Sequence, residues 1–386
     1  MAMDLTEAFQ ARFSALPAIR VRAPGRVNLL GEHVEDSGGP LLTAAIDRDV
    51  RLAARSVPAR TVTLAALDLG EAAVFSLDAL EDKLDTRGNP LPVWARYPAG
   101  VAWALQEAGF PLSGLEAAFT SDVPVGAGLA SSAAVEVAFA VLWQSAGGWP
   151  IDRLSLARLC QRAEHAYAGV SCGLTDHFAS ACGVAGQALY LDTRSLDWRP
   201  APLPPGTALV IADSGVQRDP TSSAHNERRA ACKQAVEVLQ AYLPEVRSLR
   251  DVQPTYFAAY SDRLPPIVRQ RAEHVVKEIA RVETALIALQ RADKRTFGAL
   301  MYSSHASLRG LYAVSLPELD ALVEIARRLP GCIGARLTGL GGCTVNLVEE
   351  AQAEAFIQGL RECYQERTGR PTQVYLCQAS AGASVL

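Results

Sequence analysis

One short segment limits the possible folds more than any other: Pro124-Val-Gly-Ala-Gly-Leu-Ala-Ser-Ser132, set between a strand-like run (115–120) and an apolar helical run (about 132–145). Glycines let the backbone bend tightly and come close to a ligand. The free N–H groups and the dipole at a helix start favour an anion, typically phosphate. Ser131 and Ser132 can cap that helix or reach a metal-bound phosphate. Three local readings stay open. Gly126-x-Gly128-x-x-Ser131 approximates the dinucleotide fingerprint. A different phosphate loop is the second, although the Walker form needs Gly-Lys and no Gly-Lys pair occurs in the chain. An ordinary tight turn before a buried helix is the third. The His-Arg-Asp and Asp-Phe-Gly signatures of protein kinases are absent.

A chain of 386 residues is long for one core, so two domains are expected, 1–205 and 206–386. They meet where Pro200, Pro202, Pro204 and Pro205 cluster. β-Branched and apolar runs between Gly, Pro and charged turns predict strands at 19–23, 41–46, 50–54 and 61–65. Helical spacing predicts helices over 97–108 and 153–168. Strands are expected at 188–192 and 208–213, then long helices over 223–242 and 266–292. The last seventy residues read helix, strand (334–337), strand (344–347), helix, strand (374–377).

Charge and cysteine usage narrow the function classes. With 37 basic against 41 acidic residues the net charge is -4, without the basic surplus of a nucleic-acid or acidic-membrane binder. No run approaches the roughly 20 apolar residues of a membrane span. The N-terminal segment mixes acids into its apolar positions, unlike a signal peptide. A cytoplasmic protein is expected. The eight cysteines form no CxxC or evident metal spacing, so reduced thiols are expected.

Four segments, the glycine loop among them, carry a resemblance. Residues 23–39 read Ala-Pro-Gly-Arg-Val-Asn-Leu-Leu-Gly-Glu-His-Val-Glu-Asp-Ser-Gly-Gly, which resembles the galactokinase signature almost residue for residue. The glycine loop, continuing as Ser-Ala-Ala-Val-Glu-Val-Ala138, resembles the second motif of the GHMP kinase superfamily. Residues 163–177, Ala-Glu-His-Ala-Tyr-Ala-Gly-Val-Ser-Cys-Gly-Leu-Thr-Asp-His, are similar to the galactokinase segment bearing the catalytic aspartate. Gly334-Ala-Arg-Leu-Thr-Gly-Leu-Gly-Gly-Cys343 resembles the third glycine motif. Segments 226–232 and 315–320 match in order as well. The resemblance implies an α+β GHMP kinase fold: an N-terminal domain like domain 2 of ribosomal protein S5 and a ferredoxin-like C-terminal domain, with the active site between them.

It also implies ATP-dependent phosphorylation of galactose or a close sugar at the anomeric hydroxyl, with Mg²⁺, by a monomer acting on small molecules. Asp176 is the implied catalytic carboxylate and Arg26 its facing guanidinium. Phosphoryl transfer needs such positioning and charge neutralisation more than covalent chemistry. Glu164 and Ser132 are the implied metal ligands, a set small enough for Mg²⁺, which keeps phosphate and water in its shell. His165 is read as structural. Sugar contacts carry over to Arg26, Glu32, His33, Gly173 and Asp176. Nucleotide contacts carry over to Trp94, Gly126, Gly128, Leu129, Ser131 and Ser132; a core role for Trp94 stays open.

Four departures stand out. Glu35 occupies the position of a sugar-binding aspartate, with Asp36 at the tyrosine position that follows. His225 occupies the position of another sugar-facing tyrosine. The third motif is two residues short. Ser380-Ala-Gly-Ala383 lacks an aspartate. Because hydrogen-bonding sites discriminate strongly when a partner is misplaced, another aldose, a uronic acid, an amino sugar or a cyclitol stays open as substrate. So does a non-catalytic sugar sensor.

Overall fold

In the computed structural model, which describes residues 4–216, 223–339 and 342–386, with only the backbone described for 223–225, the strands form two sheets. The first grows from a long antiparallel pair, β1 (Ile19–Leu30) and β2 (Pro40–Val57). The segments expected as strands at 41–46 and 50–54 are one strand. Asp47 and Arg48 look like a turn, but neighbours satisfy them in place. The Asp47 carboxylate accepts from the Gln378 N–H at 3.0 Å, and the Arg48 guanidinium lies over the Tyr375 ring.

After β3 (Thr61–Ala66), β4 (Glu71–Ser76), β5 (Gly114–Ser121), β6 (Gln187–Asp192) and β7 (Trp198–Pro202), the chain enters the second sheet. This contains β8 (Thr207–Asp213), β9 (Cys332–Thr338), β10 (Cys343–Glu349) and β11 (Gln373–Cys377) in the order β11-β8-β10-β9, all antiparallel. That order is the ferredoxin-like arrangement. A last short strand, β12 (Ser384–Val385), leaves it and pairs with β1 in the first sheet, whose order is β12-β1-β2-β5-β3-β4, with β6 paired to β2 and β7 to β6.

Helices Val93–Glu107, Ser131–Gly147, Arg153–Arg162 and Thr175–Cys182 cover the first sheet and bury Leu52, Leu64, Phe139, Trp143 and Phe178. A second core joins the sheets: Val27, Leu29 and Leu42 from the first meet Leu209, Ile211 and Val345 from the second. Packing across this seam holds β1, and the turn after it, against both halves. Helix 153–168 of the sequence reading ends earlier, at Arg162, and continues as a π-helical turn, Ala163–Ala168. Such widened turns collect at functional sites. Among the described residues, no helix is long and apolar enough to cross a membrane.

Candidate active site

β1 delivers Arg26 to the centre of the molecule. Its backbone N–H donates to Leu129 O at 3.0 Å, and its Nη1 donates to Gly128 O at 2.5 Å. The arginine is thereby fastened to the glycine-rich loop. Its Nε and Nη2 both donate to Asp176 Oδ1, at 2.8 and 2.6 Å, so Arg26 leaves Oδ2 without a hydrogen bond. Asp176 sits in the first turn of helix Thr175–Cys182, with its side chain 25 % exposed against 6 % for Arg26. A charge-assisted pair of this kind fixes one oxygen and leaves the other for a ligand.

The loop itself turns through left-handed backbone at Gly126, Gly128 and Ala130. Ala130, the residue before helix Ser131–Gly147, supplies no side-chain cap. First-turn N–H groups without a capping side chain form a ready anion site. The half-buried Ser131 and Ser132 stand in that turn. Leu129 offers the cleft only its backbone, because its side chain lies in the core between the sheets. Trp94, in the first turn of helix Val93–Glu107, is half-buried; its indole N–H donates to Glu71 Oε2 at 2.6 Å and its ring lies 5.7 Å from that of Phe119. From the second sheet, Gly339 packs on the same loop so closely that a Cβ there would stand 2.6 Å from Gly128 O.

Behind the loop, the π-helical turn carries Glu164, buried and facing the Ser132 hydroxyl and the Cys172 thiol. Burial raises its carboxyl pKa, with Asp176 adding to the effect against the opposing Cys172 and Ser132 contacts. A carboxylate and a hydroxyl brought together where a negative charge is costly suit a hard divalent cation. His165 holds the backbone of Cys172 through Nε2, 2.8 Å from its N and 2.6 Å from its O. Deeper still, His177 Nε2 lies 2.5 Å from Glu136 Oε2, both side chains fully enclosed. Burial pushes His177 down to about 3 and the Glu136 carboxyl well up.

The turn after β1 bears the expected sugar contacts. Glu32 is 5 % exposed, and both its oxygens have partners: Asn28 Nδ2 at 3.0 Å and Arg336 Nη2 at 2.5 Å. Each oxygen keeps a lone pair for a further donor. The backbone here is held from the other half of the molecule: Gly31 N donates to Glu278 Oε1 at 3.0 Å, and His274 Nε2 lies 3.1 Å from Glu32 O. His33, in left-handed backbone, stacks on Tyr312 at 4.6 Å.

Glu35 reaches across to the Asp176 helix. It accepts from Leu174 N, and from Thr175 Oγ1 at 2.8 Å. Gly173 is what makes room for it, since a Cβ there would meet Glu35 Oε2 at 2.1 Å. Asp36 lies at the rim and pairs with Arg229 at 2.8 Å. The side chain of His225 lies outside the described residues.

Arg26, Gly128, Ser132, Glu164, Glu35, Gly173 and Asp176 thus fall into one connected cluster, to which Glu32 and His33 are joined along the chain. The sequence reading missed the supports: Asn28, Glu136, Arg336, His274 and Glu278. The first three lie inside the quoted motifs and carried a signal. His274 and Glu278 sit on helix Pro266–Gln290, with nothing local to mark them.

Comparison with known proteins follows the same segments. A family model described as the galactokinase galactose-binding signature matches residues 7–56. Models of the N-terminal and C-terminal domains of GHMP kinases match 96–184 and 285–366. The galactokinase of Roseiflexus sp. (strain RS-1) is 45% identical over 381 residues, covering 98% of this chain and 96% of that protein. The galactokinase of Homo sapiens is 39% identical over 390 residues, covering 99% and 96%. The crystal structure of Lactococcus lactis galactokinase complexed with galactose superposes with a TM-score of 0.92 at 32% identity, covering 99% of both chains. A mevalonate kinase structure, at 18% identity and a TM-score of 0.63, shares the fold.

Proposed function

The chain belongs to the galactokinase family of GHMP kinases, and from that premise we propose that it transfers the γ-phosphoryl group of ATP to the anomeric hydroxyl of galactose. The observation that carries the reading is the Arg26–Asp176 pair, bonded on one side to the glycine loop and joined on the other, through Glu35, to the sugar turn. Asp176 Oδ2 accepts the proton of the anomeric hydroxyl as its oxygen attacks the γ-phosphorus. The bond from that phosphorus to the β–γ bridging oxygen breaks, giving ADP and the sugar 1-phosphate. Arg26, beside Gly128 O, offsets charge as it spreads over the transferring group. The uncapped first turn of helix Ser131–Gly147 receives phosphate oxygens, and Trp94 flanks the adenine.

Glu164 and Ser132 would hold Mg²⁺. Their fit is the oxygen pair described above, a buried carboxylate facing a hydroxyl. Bound there, the cation neutralises phosphate charge. Glu32, His33 and Glu35 meet the sugar hydroxyls, with His225 on the facing helix. We further read the chain as two domains, 1–205 and 206–386, in a cytoplasmic monomer.

A panel of sugars scored by coupled ADP release tests the function. Galactose is expected to give ADP in stoichiometric step with sugar 1-phosphate, ahead of glucose, galacturonate, galactosamine and inositol. If another member of the panel turns over and galactose does not, the substrate assignment fails. If none does while galactose still binds, the sensor reading replaces it.

A further inference from the structure

The kinase reading uses Glu164 and leaves its two neighbours idle. Cys172 and His177 each present a donor atom so that carboxylate oxygen, thiol sulfur and imidazole nitrogen all lie within 4.8 Å of one another. His177 Nε2 and Glu164 Oε2 are 3.4 Å apart. Two ligands bound at about 2.0–2.1 Å in tetrahedral array stand roughly 3.4 Å apart, so the spacing of these two atoms already suits a shared cation. The donor set is wrong for Mg²⁺, which takes oxygen ligands almost alone. A thiolate, an imidazole and a carboxylate together select a softer ion, above all Zn²⁺.

We propose that Glu164, Cys172 and His177 form a capture site for Zn²⁺ or a similar thiophilic divalent cation, with the fourth position left to water or the Ser132 hydroxyl. On binding, the Cys172 S–H bond breaks, its proton leaves to solvent and the sulfur–metal bond forms. His177 turns its Nε2 from Glu136 to the cation, and the loss of that hydrogen bond offsets part of the gain. The half-buried position of Cys172 gives the ion a way in, while the enclosed imidazole and carboxylate provide the floor. The functional consequence rests on the kinase reading above: an ion held by Glu164 withdraws that carboxylate from the Mg²⁺ of the nucleotide, so the site is inhibitory.

The full chain, stripped of metal and without nucleotide, is titrated with Co²⁺ as an optical probe and then with Zn²⁺. One equivalent of Co²⁺ is expected to give a thiolate-to-metal charge-transfer band in the near ultraviolet, which Zn²⁺ displaces. Cys172→Ser loses the band, and so does Cys172→Ala, which adds no new donor. His177→Gln weakens Zn²⁺ binding on the order of 10–100-fold. In assays, Zn²⁺ inhibits the wild type, excess Mg²⁺ relieves it, and Cys172→Ser resists. Absence of the band, or a band unchanged in both Cys172 variants, overturns the site. A band that depends on Cys172, with no inhibition by Zn²⁺, upholds the site and instead removes Glu164 from the nucleotide's metal.

Discussion

Two arginine–carboxylate pairs, both anchored on β1 and the turn after it, look alike in a list of contacts and differ in what surrounds them. Arg26 meets Asp176 at 2.6 Å, and Arg336 meets Glu32 at 2.5 Å. In the first, the carboxylate is 25 % exposed and one oxygen has no partner from the arginine. In the second, the side chains are 0 % and 6 % exposed, and each carboxylate oxygen already has a protein donor, keeping only its second lone pair for a ligand. A sealed pair is costly to desolvate, and here Arg336 Nε is buried without a hydrogen-bond partner, so the pair yields position rather than net stability. A half-open pair keeps an oxygen for a reactant. The sealed pair carries shape between the sheets, since Arg336 lies two residues before Thr338, whose hydroxyl bonds both N and O of Asn28. β9, which runs into the third glycine motif, and the turn after β1 are parts of one buried joint.

That contrast can be broken experimentally. Asp176→Asn should lower turnover by roughly 10²–10⁴-fold, the usual worth of a positioned base, with thermal stability and nucleotide affinity nearly unchanged. Wild-type turnover in that variant would remove the proton-accepting role. Arg336→Met should do the opposite. It strands Glu32 as a buried unpaired charge and costs about 3–5 kcal/mol of folding stability, read by urea unfolding. A loss under 1 kcal/mol would show that Glu32 relaxes to water, and that the joint is not sealed.

A pH experiment sharpens the comparison. His274 bonds Glu32 O and faces Ser307, Glu278, Arg281, Arg336 and the Tyr312 ring. Burial pushes it down to about 4 from an ordinary value near 6.5. Between those values the unfolded chain takes up a proton that the folded chain refuses, so stability falls as pH drops through the window. The carboxyls of Glu35 and Glu164, whose values burial raises, push the other way. The wild-type curve minus that of His274→Gln isolates the histidine, and should slope by roughly 3 kcal/mol at most between pH 6.5 and 4. Parallel curves would show that His274 does not titrate there. The smallest effect is expected from Glu35→Asp. Shortening the side chain removes the acceptor of Leu174 N and Thr175 Oγ1 and should cost about 0.5–2 kcal/mol, as for a lost helix cap, with a several-fold change in the galactose KM. A large gain in galactose affinity without loss of stability would mean that Glu35 serves the sugar alone.

How far the site could be read beforehand follows from the range of each contact. Arg26, Gly128, Glu164 and Asp176 were legible because each sits in a string of distinctive neighbours. The partner of Glu32 was not, since Arg336 is 304 residues away and nothing in either string names the other. Helical periodicity located helix Pro266–Gln290 but placed no function on its buried His274 and Glu278, which reads as a polar lapse in an apolar stripe until the turn it holds is seen. Likewise Asp47 and Arg48 suggested a break in β2 because their partners, Gln378 and Tyr375, come from the far end of the chain. Local pattern reported elements and motifs; it could not report which buried polar groups satisfy each other.

The return of the C-terminal segment to the first sheet has a consequence for how the molecule is made. Arg22 Nη1 donates to Ala381 O across 359 residues, Ala383 N donates to Ser180 O, and Gly382 N donates to Gly183 O at the end of the helix that carries Asp176. On the ribosome these partners emerge roughly 10–70 s after the segments they complete, at about 5–20 residues per second. The first sheet therefore waits with an open edge beside β1 and with the Asp176 helix unlatched. A nascent chain halted before residue 380 would already hold Arg26, Glu164 and Asp176 and lack the clasp that ties their sheet and helix together, so the cleft is completed only once that clasp has been made.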